Sequence, residues 1–160
     1  ELISVKEYET RHMEKLPEKF QRLLSLSAPF DLKPVDFDEH LGSKSSSLHR
    51  HFWIKTVDLL PVEPQLHRSI LAYVSDYGLL TTSLVPHGLH FLDSSLIMAS
   101  IDHAMWFHRP FQMDQWLLYS CEAISTGNSR GLAKGFFFQQ DGSLVASTTQ
   151  EGLVRQKNRT

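Results

Sequence analysis

Strong turn signals divide the second half of the chain into four segments with strand-like composition. Each segment is rich in β-branched and aromatic residues. We place the strands at Ser95–His108, Gln115–Ser125, Ser129–Gln139 and Ser143–Arg155. The turns between them are Arg109-Pro110, Thr126-Gly127-Asn128 and Asp141-Gly142. Because short Gly-containing connections join antiparallel neighbours, the last three strands are predicted to form a meander.

A helix is predicted ahead of these strands. Apolar residues recur at helical spacing from Leu66 to Leu80, after a break at Pro61. Ala72 and Tyr73 widen the apolar surface almost all round, which indicates a buried helix. A buried helix followed by at least four antiparallel strands indicates an α+β domain, with the sheet wrapped around the central helix.

The first part of the chain contains a connector and two weaker strand patterns. Residues 1–27 are predicted to form a helical connector that begins with the capping box Ser4-Val-Lys-Glu7. Residues 30–37 and 48–60 are predicted strands, separated by a Ser-rich loop. The domain itself is therefore placed at residues 28–160.

Composition excludes several classes of protein. With 160 residues, of which 41% are hydrophobic and 21% charged, the chain has the size and composition of one globular domain. A formal charge of −2 provides no basic field for nucleic acid. No apolar run approaches the ~20 residues of a membrane span, and no signal peptide is visible. The single cysteine, Cys121, is interpreted as a core residue.

The segment Ser100–Phe111 mixes aromatic residues with charges and histidines. Read as one strand, it places Ser100, Asp102 and His108 on one face and His103 on the other. Polar groups in so aromatic a run need hydrogen-bond partners when buried, or they cost roughly 1–3 kcal/mol each. The strand is therefore expected to line a site or to lie at a subunit seam. Asp102 and His103 are assigned to structure or to that seam.

Two kinds of chemistry can be weighed from these residues alone. The pair His87-Gly-Leu-His90 has plausible metal spacing, but no carboxylate or cysteine cluster surrounds it. A Ser-His-Asp nucleophile system would need Ser100, Asp102 and His103, yet adjacent strand residues point apart, and no Gly-x-Ser-x-Gly elbow exists. Neither a metal nor a cofactor is expected.

Several blocks of the sequence resemble, in order, the second half of the bacterial type II acyl-CoA thioesterases and of their peroxisomal relatives. The longest is Ile101-Asp-His-Ala-Met-Trp-Phe-His-Arg-Pro-Phe111. The others are Tyr73-Val-Ser-Asp-Tyr77, Pro86-His-Gly88, Trp116-Leu-Leu-Tyr119, Ser129-Arg-Gly131, Asp141-Gly-Ser-Leu-Val-Ala-Ser147 and Gln150-Glu-Gly152. So many ordered blocks are a specific signal.

The resemblance implies a hotdog fold, in which an antiparallel sheet wraps around a long central helix. Family members carry two such units in one chain, and this chain resembles the C-terminal unit. The implied partners are acyl-CoA as substrate and either an N-terminal hotdog half or a second copy, which would give a homo-oligomer. The chain ends Lys157-Asn-Arg-Thr160 rather than in the peroxisomal signal Ser-Lys-Leu. The cytoplasm is therefore expected, or the peroxisome if such a signal was lost.

The resemblance also implies a site that activates water. In the family, an Asp near the end of the helix, a Thr or Ser before the Asp-His block and a Gln before Glu-Gly hold the water. The matching residues are Asp76, Ser100 and Gln150. Asp76 would be the general base, and the other two would orient the water. Bacterial members more often carry Thr where this chain has Ser100, but the hydroxyl is retained.

Four further residues are expected to contact the substrate. Met105 and Trp106 would line a tunnel for the acyl chain, and Arg109 and Arg130 would meet the phosphates of coenzyme A. The alternative to a thioesterase is a non-catalytic hotdog unit that binds acyl chains or supports a partner domain.

Overall fold

The computed structural model describes residues 2, 4, 7, 29–36, 47–89 and 93–157. Within these residues the strands are β1 (Phe30–Pro34), β2 (His49–Thr56), β3 (Leu96–Ser100), β4 (Ala104–Phe107), β5 (Leu117–Gly127), β6 (Arg130–Phe138) and β7 (Leu144–Gln156). The helices are α1 (Pro64–Val74) and α2 (Leu79–Thr82), and a 3₁₀ turn follows at Val85–His87.

The strands form an antiparallel sheet in the order β1-β2-β5-β6-β7-β3, and β4 pairs with β7 as well. The meander predicted from the turn signals is confirmed by β5, β6 and β7. Its first turn consists of Asn128 and Ser129, whose φ angles are 50° and 61°. Two consecutive positive φ angles are what a two-residue type I′ hairpin requires. The strands predicted at 30–37 and 48–60 are also present, as the shorter β1 and β2.

Side-chain alternation along the long strands puts one face of the sheet on the core. Leu117 and Tyr119 of β5 point inward and are buried. The Tyr119 ring stacks on Phe137 of β6, with 3.8 Å between the ring centroids. Leu71 and Val74 of α1 pack against the same cluster. The core therefore lies between α1 and the middle of the sheet.

The central helix is shorter and more exposed than its sequence pattern predicts. It ends at Val74 rather than near Leu80, because the chain turns and Gly78 adopts a φ of 72°, which glycine tolerates without strain. Tyr73 is 60% exposed and Ala72 is exposed too. The prediction of a helix buried on most sides is therefore wrong for this chain. One apolar face of α1 lacks a cover among the described residues.

The strand predicted at Ser95–His108 is in fact two strands, β3 and β4, which pair with the same edge of β7. Residues 101–103 leave the ladder because two consecutive N–H groups, those of Ile101 and Asp102, donate to the Glu151 carbonyl at 3.0 and 3.2 Å. Two residues opposite one partner shift the alternation of faces, as in a bulge. The assignment of faces for one continuous strand is therefore wrong beyond this point.

The predicted N-terminal capping box is confirmed. Glu7 N donates to Ser4 Oγ at 3.1 Å, and Ser4 N donates to Glu7 Oε2 at 2.7 Å. The rest of the predicted connector, and most of the loop between β1 and β2, lie outside the described residues. In the described parts of the chain, no helix is long and apolar enough to cross a membrane. The cytoplasmic location and the domain boundary stay predictions.

Candidate active site

Three polar side chains from separate elements meet beside the end of α1. Asp76 lies in the turn after α1, Ser100 is the last residue of β3, and Gln150 lies within β7. Gln150 donates through Nε2 to Asp76 Oδ1 and also to Ser100 Oγ, the latter at 2.9 Å. The Ser100 hydroxyl donates to Asp76 Oδ1 at 3.4 Å. The structure thus brings the three residues matched through the family resemblance into one hydrogen-bonded cluster.

A glycine in β7 allows α2 to pack closely against the strands that carry two of these residues. Gln150 is on the core side of β7 and is 0% exposed. Ser100 pairs with Gly152 of β7. A Cβ atom at Gly152 would lie only 2.3 Å from Leu80 Cδ2. Glycine therefore allows α2, which directly follows the turn with Asp76, to pack against the pair of strands.

The turn that carries Asp76 is tied to the core. Tyr77 N donates to the Val74 carbonyl at 2.8 Å, which extends the helical turn past α1. The buried Tyr119 hydroxyl donates to the Ser75 carbonyl at 2.7 Å. Asp76 lies between these two anchored residues, and its own side chain is exposed. The backbone beneath the carboxylate is thus fixed while the carboxylate remains accessible.

A cavity of about 440 Å³ opens beside the cluster. Besides the three clustered residues, its lining consists of Ala72, Tyr73, Tyr77, Ile101, Asp102 and His103. The Tyr77 hydroxyl donates to the Tyr73 hydroxyl at 3.0 Å. Burial, together with that hydrogen bond, raises the pKa of Tyr77 to about 12, so this phenol stays neutral at physiological pH. The two tyrosines therefore give the cavity an aromatic part of its lining, in which Tyr77 is uncharged.

Tyr73 and Tyr77 are site residues that were not predicted from the sequence. Tyr73, Asp76 and Tyr77 are spaced three and four residues apart, which puts side chains on one side of a helical turn. That spacing is the sequence signal that identifies them as neighbours of Asp76.

The two apolar residues expected to bind the acyl chain lie outside the lining of this cavity. Trp106 pairs with Ser147, on the face of β7 opposite to Gln150, and is 53% exposed. Met105 points to the other face and packs against the core. Because of the interruption after Ser100, Trp106 and Ser100 face opposite sides of the sheet.

The two arginines expected to meet coenzyme A also lie outside this lining. Arg109 donates through Nη1 to the Leu144 carbonyl at 2.7 Å. Arg130 lies 4.0 Å from the Glu151 carboxylate, and both side chains of this pair are exposed. An exposed ion pair of this length is weak.

The residues that the structure describes contain no group of three or more His, Cys, Asp or Glu side chains that could hold a metal ion. Of the histidine pair with metal-like spacing, His90 lies outside the described residues. His87 Nε2 lies 2.7 Å from Thr126 Oγ1, which accounts for one ring nitrogen.

The chain is similar to known proteins in both sequence and structure. The sequence model of the family described as acyl-CoA thioesterase matches residues 21–153. Acyl-CoA thioesterase 2 of Haemophilus influenzae is 36% identical over 140 residues, which cover 88% of this chain and 49% of that protein. The crystal structure of an acyl-CoA thioesterase II, TesB2, from Mycobacterium marinum is 37% identical, with a TM-score of 0.71, and covers 92% of this chain and 54% of that one.

The fold is shared more widely than the sequence. A protein of unknown function with a hot dog fold from Alicyclobacillus acidocaldarius is 13% identical, has a TM-score of 0.62, and covers 89% of this chain and 49% of that one. The hotdog fold implied by the resemblance is therefore confirmed. The chain spans about half the length of the Haemophilus influenzae and Mycobacterium marinum relatives. The match over most of its residues shows that the chain belongs to the acyl-CoA thioesterase family.

Proposed function

We propose that this domain hydrolyses acyl-CoA to a free fatty acid and coenzyme A, and that Asp76, Ser100 and Gln150 activate the attacking water. The observation that carries the proposal is the hydrogen-bonded cluster of these three side chains beside a cavity. Membership of the acyl-CoA thioesterase family supplies the reaction class.

Asp76 acts as the general base. Both hydrogen bonds to its carboxylate from described residues end on Oδ1, which leaves Oδ2 to take a proton from water. The water oxygen attacks the thioester carbonyl carbon, the C–S bond breaks, and the thiolate of coenzyme A leaves and takes up a proton. Because a thiolate is a good leaving group, one base suffices for the reaction. A positioned carboxylate base contributes typically about 10²–10⁴-fold.

Ser100 and Gln150 supply orientation rather than acid–base chemistry. An amide is neither an effective acid nor an effective base at neutral pH, and Gln150 is fully buried, so its role is to hold Asp76 Oδ1 and the Ser100 hydroxyl in place. Fixing the carboxylate also fixes the line along which a water on Oδ2 attacks, which is an entropic contribution to the rate.

The substrate contacts proposed from the sequence extend away from this centre. Met105 and Trp106 are proposed for the acyl chain, and Arg109 and Arg130 for the phosphates of coenzyme A. The proposed phosphate contact of Arg130 is supported by the exposure of its side chain and by the weakness of its 4.0 Å ion pair with Glu151. Trp106 is the least supported of the four, because its ring lies on the other face of the sheet from Gln150.

A second hotdog unit is proposed to close the cavity. Ala72 and Tyr73 are exposed on α1 and also line the cavity, so whatever covers the helix covers the site. Relatives about twice as long indicate the source of this cover. Either the N-terminal half of a longer chain, of which this is the C-terminal half, or a second copy of this chain would provide it.

The test compares hydrolysis of a long-chain acyl-CoA by the wild-type chain, by Asp76→Asn and by Asp58→Asn. Released thiol is followed with a chromogenic reagent. We expect Asp76→Asn to lower kcat about 10²–10⁴-fold because the base is removed. Asp58 is exposed and outside the cavity lining, so Asp58→Asn is the matched control and should retain the wild-type rate.

Two outcomes would contradict the proposal. Equal rates for wild type and Asp76→Asn would place the base elsewhere. Binding of acyl-CoA without hydrolysis by the wild type, measured by calorimetry in the presence of a second hotdog half, would favour the non-catalytic unit instead.

A further inference from the structure

Residues 101–103, which connect β3 to β4, hold the backbone of β7 next to Gln150. The N–H groups of Ile101 and Asp102 both donate to the Glu151 carbonyl, at 3.0 and 3.2 Å. The Asp102 carboxylate accepts the Glu151 N–H through Oδ1 at 2.9 Å. Both backbone polar groups of Glu151 are therefore engaged by this short connection.

The same connection reaches the other side of the cluster through His103. Its Nε2 lies 2.7 Å from Oγ of Ser75, a residue with 0% exposure that immediately precedes Asp76. The Ser75 hydroxyl also lies 2.7 Å from the Ala72 carbonyl. Since a carbonyl only accepts, the single hydroxyl proton goes to Ala72, and His103 donates through Nε2–H. The reverse tautomer would set two acceptors against each other.

We propose that Asp102 and His103 are positioning residues that hold Gln150 and Asp76 around Ser100. Asp102 acts through the neighbour of Gln150, and His103 acts through the neighbour of Asp76. Both belong to the connection that begins directly after Ser100, so three consecutive residues tie all members of the cluster together. The inference rests on the proposed function, since it assigns these side chains to the same reaction.

A matched pair of substitutions separates the His103 hydrogen bond from the imidazole ring. The amide nitrogen of glutamine reaches about as far along the side chain as Nε2 of histidine, whereas that of asparagine reaches only as far as Nδ1. We expect His103→Gln to keep at least about a third of the wild-type kcat. We expect His103→Asn to lower kcat roughly 10–100-fold with KM changed less than about threefold, because a displacement of about 1 Å costs this much.

The control is His108→Asn, which makes the same chemical change elsewhere. His108 Nε2 lies 2.9 Å from Ser147 Oγ, on the outer face of the sheet, so it has the same kind of contact without a link to Asp76. His108→Asn should leave kcat at the wild-type value.

A second pair of variants tests Asp102. Asp102→Asn keeps an acceptor for the Glu151 N–H, whereas Asp102→Ala removes it, so kcat should fall more in Asp102→Ala.

A double-mutant cycle with Ser75→Ala tests whether His103 acts through Ser75. If His103 acts through Ser75, the double variant His103→Asn/Ser75→Ala will have about the same kcat as the less active of the two single variants. Losses that multiply would show that His103 acts by another route and would overturn the proposal. Unfolding midpoints are measured for every variant. If the loss of kcat disappears when activity is measured at temperatures well below the Tm of the variant, the loss is due to unfolding rather than to misplacement of the site. That result would also overturn the proposal.

Failure of the proposed function gives a different result. A wild-type chain that hydrolyses no acyl-CoA would overturn both proposals together. An active wild type that loses activity in Asp76→Asn, but not in His103→Asn or Asp102→Ala, would overturn the positioning role alone.

Discussion

Gln150 is a polar side chain without solvent exposure, and its amide nitrogen bonds to both Asp76 and Ser100. Its Oε1 atom is buried and has no hydrogen-bond donor among the described residues. Leaving a buried oxygen unsatisfied costs roughly 1–3 kcal/mol. Gln150, which leaves a buried oxygen unpaired, is thus also a residue that holds the proposed base, as expected where function rather than stability selects a side chain.

The Cys121 thiol is buried and stays protonated in the folded chain. Burial raises the pKa of Cys121 to about 12, although nearby Arg50 acts in the opposite direction. An exposed thiol in the unfolded chain ionises near pH 8.5. Above about pH 9 the unfolded state therefore loses a proton that the folded state retains, so the free energy of unfolding decreases as pH rises.

We expect the free energy of unfolding to fall by ~1–3 kcal/mol more in wild type than in Cys121→Ala between about pH 8 and pH 11. Urea unfolding at several pH values measures this difference. The alanine variant removes the thiol, whereas burial raises the pKa values of Tyr77 and Tyr119 in both proteins. If the free energy of unfolding falls equally with pH in the two proteins, the raised pKa of Cys121 is contradicted. The same burial predicts that a thiol reagent at pH 8 reacts with Cys121 only after denaturation.

Among the elements, the hairpin of β5 and β6 requires two consecutive residues that tolerate positive φ angles at its turn. Asn128 and Ser129 both adopt positive φ, which Asn tolerates better than Ser does. The Ser129 carbonyl accepts the Val154 N–H at 3.0 Å, so the turn also contacts β7 through its backbone. A glycine at this position would keep that hydrogen bond and remove the steric strain of Ser129.

We expect Ser129→Gly to stabilise the fold by about 0.5–1 kcal/mol, because relief of left-handed strain outweighs the greater freedom of glycine in the unfolded chain. The control is Ser125→Gly, which places glycine in an exposed strand position of the same hairpin and should destabilise by a similar amount. Urea midpoints with an unchanged m-value measure both effects. A lower midpoint for Ser129→Gly would show that the serine side chain stabilises the turn.

At the scale of the whole molecule, the described residues build a sheet with a helix covered on one side only. The exposed side of α1 contains Ala72 and Tyr73, which also line the cavity beside Asp76. Tyr73 contacts Phe30 and Tyr77, with ring centroids 6.1 and 5.3 Å apart, so a half-exposed aromatic cluster continues from the cavity to the edge strand β1. An apolar surface that surrounds a polar site is typical of an interface.

We expect the isolated chain to self-associate through this surface, so its Tm should rise with protein concentration. Ala72→Arg introduces a charge at the centre of the surface and should shift the protein towards monomer. Light scattering and thermal unfolding at several concentrations measure both effects.

The control is Leu59→Arg, which places the same charge at an 85% exposed apolar residue between β2 and α1. This variant should associate as the wild type does. A stable, folded wild-type monomer at micromolar concentration, with a Tm independent of concentration, would contradict a second copy as the partner.

Much of the fold follows from local sequence signals. The capping box at Ser4, the meander of β5 to β7 and the start of the central helix after Pro61 were all predicted, because each depends on a few neighbouring residues and their dihedral preferences. Asp76, Ser100 and Gln150 were named by resemblance to a family, since residues 24 to 74 positions apart carry no local sign of contact.

Three features depended on packing between distant segments. The strand containing Ser100 is interrupted because Glu151 of β7 accepts two successive N–H groups, which no pattern within residues 95–108 reveals. The same interruption turns His103 towards Ser75 and leaves Trp106 on the outer face. The exposure of α1 was missed because a helical pattern shows which residues are apolar but not what covers them. Local preferences are encoded next to one another in the chain, whereas burial and registry depend on partners that only the folded sheet brings into contact.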